Sequence, residues 1–181
     1  MDNPSGQTSV ASQRRQAKSQ PEFQVGDKAV YPAHGVGEVM GIESRSFGQQ
    51  KKEFYIIKIL DSGMKIMVPT DNASQVGLRQ VISEEEADEV FNILKAPEVA
   101  VDTQPWNRRY REYMEMLKSG SPFEVAKVLR DLYRLKFDKD LSFGERRLLD
   151  TARSLLVKEL ALARSCEESA VELDIQQLFD A

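Results

Sequence analysis

The sequence has little of the side-chain chemistry that enzymes and secreted proteins use. Its 181 residues include one cysteine and one histidine, Cys166 and His34. A single cysteine excludes an internal disulfide bond and favours a reducing compartment. No apolar run approaches the roughly 20 residues of a membrane span, and the N-terminal residues lack the apolar stretch of a signal peptide. We therefore predict a soluble, cytoplasmic protein with no membrane partner.

Catalytic and metal-binding motifs are also missing. His34 and Cys166 lie far apart in the sequence, and no supporting motif surrounds either one. No spacing of potential ligands is typical of a metal site. The glycines at 35, 37 and 41 do not have the dinucleotide-binding spacing, and a strand is predicted to follow them instead of a helix. Glu86, Glu124 and Glu145 fit helix-capping positions better than acid–base chemistry. The sequence thus predicts a protein that is not an enzyme and needs no cofactor.

Charge is nearly balanced over the chain but unevenly distributed. The net charge is −4, whereas residues 106–164 contain 14 Lys and Arg against 9 Asp and Glu. Residues 165–181 contain five acidic residues and no basic one. A basic cluster can bind a phosphate backbone through counterion release. It can equally form ion pairs on solvated helix faces, so charge alone leaves both interpretations open.

The N-terminal half has the pattern of a small β-domain. Residues 1–22 are rich in Ser, Gln and Ala and are predicted to be disordered. Residues 23–82 contain short apolar stretches separated by turn sequences such as Pro32–Gly35 and Asp61–Gly63. Four or five strands in so short a segment predict a strongly bent sheet or a small barrel.

A helical pattern begins at Ser83 and continues to the C-terminus. Capping-box sequences start at Ser83, Ser121 and Ser142, each with Glu three residues later. We predict a helix and linker over 83–104, followed by a helical domain over 105–181 in which Trp106 to Lys118 forms the first helix. The predicted fold class is therefore α+β, a bent β-sheet followed by an all-α domain.

One cluster in the helical half is more specific than the charge count. Trp106, Arg108, Arg109 and Arg111 fall within the first turns of a predicted helix. A helix N-terminus favours phosphate binding, and arginine adds planar donors for phosphates and groove edges. Trp106 is in phase with the apolar residues of its helix, so it fits either a core position or an exposed wedge against bases.

Several motifs in the same order resemble the CarD/CdnL family of bacterial transcription regulators. They are VGDKAVYPAHGVG at 25–37, KIMVP at 65–69, VGLR at 76–79, WNRRY at 106–110, RDLY at 130–133 and LSFGERR at 141–147. The resemblance extends from about residue 23 to residue 163, and the form of the second motif, with Met67, and of the last motif resembles the CdnL branch. It implies a Tudor-like β-domain that binds the β subunit of RNA polymerase and a helical domain that contacts promoter DNA.

The resemblance also implies a site and a mechanism. The family's tryptophan, here Trp106, wedges into DNA at the upstream edge of the transcription bubble and stabilises the open complex. The expected DNA-binding residues are Trp106, Arg108, Arg109, Arg111, Arg146 and Arg147. The expected polymerase-binding residues are Val39, Arg45, Met67 and Pro69. Met67 stands where another branch of the family has arginine, so its contact is expected to be apolar. The protein is expected to act as a monomer that reaches the nucleoid through RNA polymerase.

Two alternatives come from other classes of protein. Gly26-Asp27, followed by a strand, a turn and GVGEV at 35–39, also resembles the KOW element of ribosomal and elongation factors, whose partner is RNA. The Trp106 cluster and the attached helical domain argue against this alternative. A hydrolase or nucleotide-binding enzyme is the third possibility, and the missing motifs argue against it.

Overall fold

The computed structural model describes residues 22–97 and 105–180, and its N-terminal part is an antiparallel sheet. The strands are β1 (Lys28–Tyr31), β2 (Gly35–Phe47), β3 (Gln50–Ile59), β4 (Lys65–Pro69) and β5 (Arg79–Gln80), arranged in the order β4-β3-β2-β1-β5. A register shift between Val39 and Gly41 marks a bulge in the long β2 strand, and bulges bend a sheet. The predicted bent sheet is therefore confirmed.

The sheet buries one of its faces. Phe23, Tyr55, Ile57 and Val68 are at most 2% exposed and form the core with neighbouring apolar residues. The Tyr55 hydroxyl accepts a hydrogen bond from the Phe23 backbone N–H at 3.2 Å, and the two rings meet edge to face at 5.7 Å. This contact fixes the chain that enters β1 against the inner face of the sheet.

Five helices follow in the described part of the chain. They are α1 (Glu84–Lys95), α2 (Trp106–Lys118), α3 (Pro122–Asp138), α4 (Phe143–Ala163) and α5 (Glu168–Asp180). The predicted bounds of α2 are confirmed. Full capping boxes are present at Ser83 and Ser142. At Ser121 only the serine half forms, because the Glu124 carboxylate pairs with Lys127 at 2.6 Å instead.

The division of the chain differs from the prediction at α1. Val90, Phe91 and Leu94 of this helix are buried in the same apolar core as α3 and α4. The helix therefore belongs to the helical domain, although the sequence analysis grouped it with a linker. Its apolar residues pack against α3, which is distant in the sequence, so the local sequence does not reveal this contact. The predicted disorder of residues 1–22 and the linker over 98–104 lie outside the described residues, apart from residue 22.

Candidate functional site

The register of the sheet decides which side chains share its solvent-exposed face. Residues directly opposite in antiparallel strands lie on the same face, and faces alternate along each strand. Arg45 is opposite Lys52, Phe54 is opposite Pro69, and Ile56 is opposite Met67. We call this surface the outer sheet face. Its members are Gly41, Glu43, Arg45, Phe47, Gln50, Lys52, Phe54, Ile56, Lys58, Lys65, Met67 and Pro69.

Three of the four residues predicted to bind polymerase lie together on the outer sheet face. They are Arg45, Met67 and Pro69, and Met67 is 40% exposed. Val39 is different, because it is opposite Ile57 on the inner face and is fully buried. The prediction that Val39 contacts a partner is therefore wrong for its side chain. Val39 instead packs the core beneath the surface.

Several apolar members of this face were not among the predicted polymerase-binding residues. Phe47 is 58% exposed and packs edge-on against Phe54, with ring centres 6.0 Å apart. Ile56 and Phe54 are half-buried next to Met67 and Pro69. The signal was present in β3, where alternate residues of an apolar run must point away from the core. Lysines border this apolar strip, so the outer sheet face fits a partner with an apolar centre and acidic surroundings.

The second surface lies where α2 and α4 both begin. We call it the helical tip, and its members are Trp106, Arg108, Tyr110, Phe143, Arg146 and Arg147. Trp106 lies 5.6 Å from the Tyr110 ring, centre to centre. A Cβ atom placed on Gly144 would lie 3.4 Å from Cζ2 of Trp106. The absence of a side chain at position 144 thus lets the start of α4 lie directly against the indole.

Trp106 is half-buried, and this position combines the two interpretations that the sequence left open. Part of the indole packs against the helical core. Trp106 is therefore neither a fully buried core residue nor a fully exposed wedge in the free protein. Phe143, which is next to Gly144 in the sequence, is 78% exposed at the first position of α4. Phe143 was not among the predicted DNA-binding residues. Its position out of phase with the apolar stripe of its helix is the sequence signal that marks it as exposed.

Arg109 does not point freely to solvent with the other arginines. Its side chain is 15% exposed, and its guanidinium lies 3.8 Å from the Glu145 carboxylate. The same guanidinium lies 5.6 Å from the centre of the Trp106 ring, within cation–π distance. Arg109 therefore lies mostly buried between Glu145 and Trp106, and its contact with DNA stays a prediction. Arg108, Arg111, Arg146 and Arg147 are exposed, as a contact with DNA requires.

Glu145 organises the base of the helical tip. It is 2% exposed and accepts hydrogen bonds from the Ser142 backbone N–H at 2.8 Å and from Lys139 Nζ at 3.0 Å. Burial disfavours its ionisation, but the Ser142 N–H and the Lys139 ammonium outweigh burial and hold the pKa of Glu145 below its ordinary value. The resulting carboxylate fixes the first turn of α4, on which Phe143, Arg146 and Arg147 lie.

Comparison with known proteins agrees with the arrangement of both halves. Residues 23–82 match the CarD-like/TRCF RID domain, and residues 89–176 match the C-terminal domain of CarD. The chain is 33% identical over 150 residues to YdeB of Bacillus subtilis, a protein named as a transcription factor, covering 83% of this chain and 97% of that protein. The chain belongs to the CarD family.

Two further proteins match over only part of one of the two chains compared. It is 26% identical over 146 residues to the transcription-repair-coupling factor of Staphylococcus aureus strain USA300, covering 80% of this chain but 11% of that protein. The structure of CdnLNt from Myxococcus xanthus is 51% identical and covers 37% of this chain and 94% of its own, with a TM-score of 0.30.

Membership of the CarD family settles the class of the protein. It is a transcription factor with an RNA polymerase-interacting domain, and the family is non-enzymatic. The KOW-type and enzyme alternatives therefore fail. Within residues 22–97 and 105–180, no group of three or more His, Cys, Asp and Glu side chains could hold a metal ion. No helix in the same ranges is both long and apolar enough to cross a membrane.

Proposed function

We propose that this CarD-family protein binds the β subunit of RNA polymerase through the outer sheet face and promoter DNA through the helical tip. The DNA contact is at the upstream edge of the transcription bubble, and its effect is to stabilise the open complex. The observation that carries the proposal is the helical tip itself. It presents a braced, half-exposed indole and an exposed phenyl ring among arginines that remain open to solvent.

The composition of the helical tip suits distorted DNA better than regular duplex. Aromatic side chains stack on unpaired or kinked bases, whereas arginines bind phosphates of any sequence. A contact of this kind stabilises the open complex only if it is stronger with melted DNA than with closed duplex. Trp106 and Phe143 supply that difference, and Arg108, Arg146 and Arg147 supply attraction to both states.

The outer sheet face supplies the contact with polymerase. Its apolar strip of Phe47, Phe54, Ile56 and Met67 is continuous by register and is partly exposed to solvent. β4 lies at the edge of the sheet, so its outward backbone groups could pair with a partner strand. Side-chain burial and strand pairing would then act together at Met67 and Pro69.

The proposal is tested by measuring open-complex lifetime on a promoter with and without the full chain. We expect the protein to lengthen the lifetime, and a Trp106→Ala, Phe143→Ala double variant to remove most of this effect. The double variant should still bind polymerase, because the outer sheet face is intact. An equal lifetime with and without the parent protein at several promoters would contradict the proposal.

A further inference from the structure

The two domains meet at a buried ion pair between β5 and α4. Glu159 of α4 is 3% exposed, and Arg79 of β5 reaches its two carboxylate oxygens at 2.5 and 3.0 Å. The backbone N–H of Ile82 donates to the same carboxylate at 3.2 Å, and Nε of Arg79 donates to the Gly120 carbonyl at 2.9 Å. One arginine of the β-domain thus joins two separate elements of the helical domain, α4 and the turn before α3.

A second polar contact joins the domains one residue away on α4. Lys158 Nζ lies 2.6 Å from Asp61 in the turn between β3 and β4, and 3.1 Å from Glu168 at the start of α5. The hydrogen bond with Asp61 outweighs burial and raises the pKa of Lys158 above its ordinary value. The ammonium therefore stays charged at neutral pH, and the contact persists there.

Close apolar packing around Pro32 adds to these polar contacts. A Cβ atom on Gly77 would lie 2.8 Å from Cγ of Pro32, and one on Gly120 would lie 3.1 Å from the same atom. Pro32 is therefore held between a glycine of each domain. One cavity beside Pro32 is about 20 Å³, room for about one water molecule. A wider open cleft of about 750 Å³ lies next to it, between residues 74–83 and residues 119–123. The junction is therefore closely packed at Pro32 and depends on the polar contacts of Arg79 and Lys158 elsewhere.

Helix α4 connects this junction to the helical tip. Phe143, Arg146 and Arg147 lie in its first turns, and Lys158 and Glu159 lie near its other end. A continuous helix transmits orientation along its length, so fixing Glu159 against Arg79 also fixes the direction of the tip relative to the sheet. Neither residue is on the outer sheet face or on the helical tip.

We propose that Arg79 and Glu159 are positioning residues that hold the outer sheet face and the helical tip in one relative orientation. When the outer sheet face binds polymerase, the helical tip then already faces the DNA, and the helical domain does not have to reorient before it binds. This inference rests on the proposed function. If opening the junction leaves the active orientation populated in only about a tenth of the molecules, the apparent affinity of the tip for its site falls about tenfold.

Orientation can be measured directly because Cys166 is exposed and is the sole cysteine of the chain. Spin labels on Cys166 and on a Gln49→Cys substitution, in the exposed turn between β2 and β3, report the distance between the domains. We expect a narrow distance distribution in the parent and a distribution at least twice as broad in Glu159→Gln. Asp61→Asn, which alters an exposed member of the junction, should broaden it less.

Glu172→Gln is the matched control, because it removes a 3.1 Å pair with Arg153 that joins α4 to α5 within the helical domain. It should leave the distribution unchanged. A distribution that stays as narrow in Glu159→Gln as in the parent would overturn the proposal. If Glu159→Gln lowers the melting temperature too far for use, Arg79→Gln, which removes the same pair at its more exposed member, is measured in its place.

The same variants are then compared in open-complex lifetime and in binding to the isolated β subunit. We expect Glu159→Gln to reduce the lifetime effect roughly tenfold with unchanged β binding, and Glu172→Gln to behave as the parent. A full lifetime effect from Glu159→Gln would overturn the positioning role. Failure of the parent itself to lengthen the lifetime would instead contradict the proposed function, so the two failures are distinguishable.

Discussion

Replacing Phe143 with alanine separates DNA binding from folding more cleanly than any other change at the helical tip. Phe143 is 78% exposed, so little of its ring leaves water when the protein folds. We expect the free energy of unfolding to change by less than about 0.5 kcal/mol, as is usual for exposed sites. Because the Phe143 ring contributes little to packing in the free protein, it is available to contact a partner.

The expected effect on the open complex is much larger. Loss of one base-stacking aromatic costs about 1 to 3 kcal/mol, which shortens the open-complex lifetime by roughly fivefold to over a hundredfold. The assay follows the decay of preformed promoter complexes after a competitor is added, at saturating Phe143→Ala or parent protein. Saturation ensures that a shorter lifetime reflects weaker stabilisation and not lower occupancy.

Leu173→Ala is the control for Phe143→Ala, since Leu173 is a 54% exposed apolar residue on α5 and not a member of the helical tip. It should support the parent lifetime. If Phe143→Ala also supports the parent lifetime, stacking by Phe143 is refuted. If it lowers the thermal midpoint by many degrees, the ring is structural and our reasoning from its exposure is wrong.

Three further predictions concern the support of the tip and its phosphate contacts. Trp106→Ala should cost about 2 kcal/mol in denaturant unfolding, less than the roughly 3 to 5 kcal/mol of a fully buried tryptophan, because the indole is half-buried; a cost near zero would contradict its packing. The Arg146→Ala, Arg147→Ala double variant should flatten the salt dependence of the lifetime effect by about two units of slope, similarly at different promoters; an unchanged slope would remove both residues from the interface. The pKa of Glu145 is lower in the folded protein, so its contribution to stability is complete above about pH 4.3 and is lost as pH falls through the folded value. The melting temperature of Glu145→Gln should therefore depend less on acid pH than that of the parent. Parallel plots of melting temperature against pH for the two proteins would refute this.

Sequence reasoning located most of the elements because their signals are local. The bounds of α2 and the capping boxes at Ser83 and Ser142 depend on residues within one turn, and both are confirmed. Helix α1 was predicted as a capped helix but was grouped with the linker, whereas its apolar stripe packs against α3, far along the chain. Its partner is visible only in the folded structure.

The candidate site was predictable in part for a similar reason. Exposed arginines at helix starts are visible from sequence, whereas the burial of Arg109 depends on Glu145, which comes from another helix. The inner position of Val39 depends on the register with β3 and on the bulge that follows it. The resemblance to a family predicted the outer sheet face and the helical tip as binding surfaces. The folded structure then shows which of their side chains are exposed to a partner.

The most direct test of the two-surface account is the affinity of the full chain for the isolated β subunit of RNA polymerase. Met67→Asp places an acidic charge at the centre of the apolar strip, and Trp106→Ala alters only the helical tip. We predict that Met67→Asp weakens binding at least tenfold, about 1.4 kcal/mol, and that Trp106→Ala binds as the parent does. Parent-like binding by Met67→Asp, or a tenfold loss with Trp106→Ala, would contradict the account.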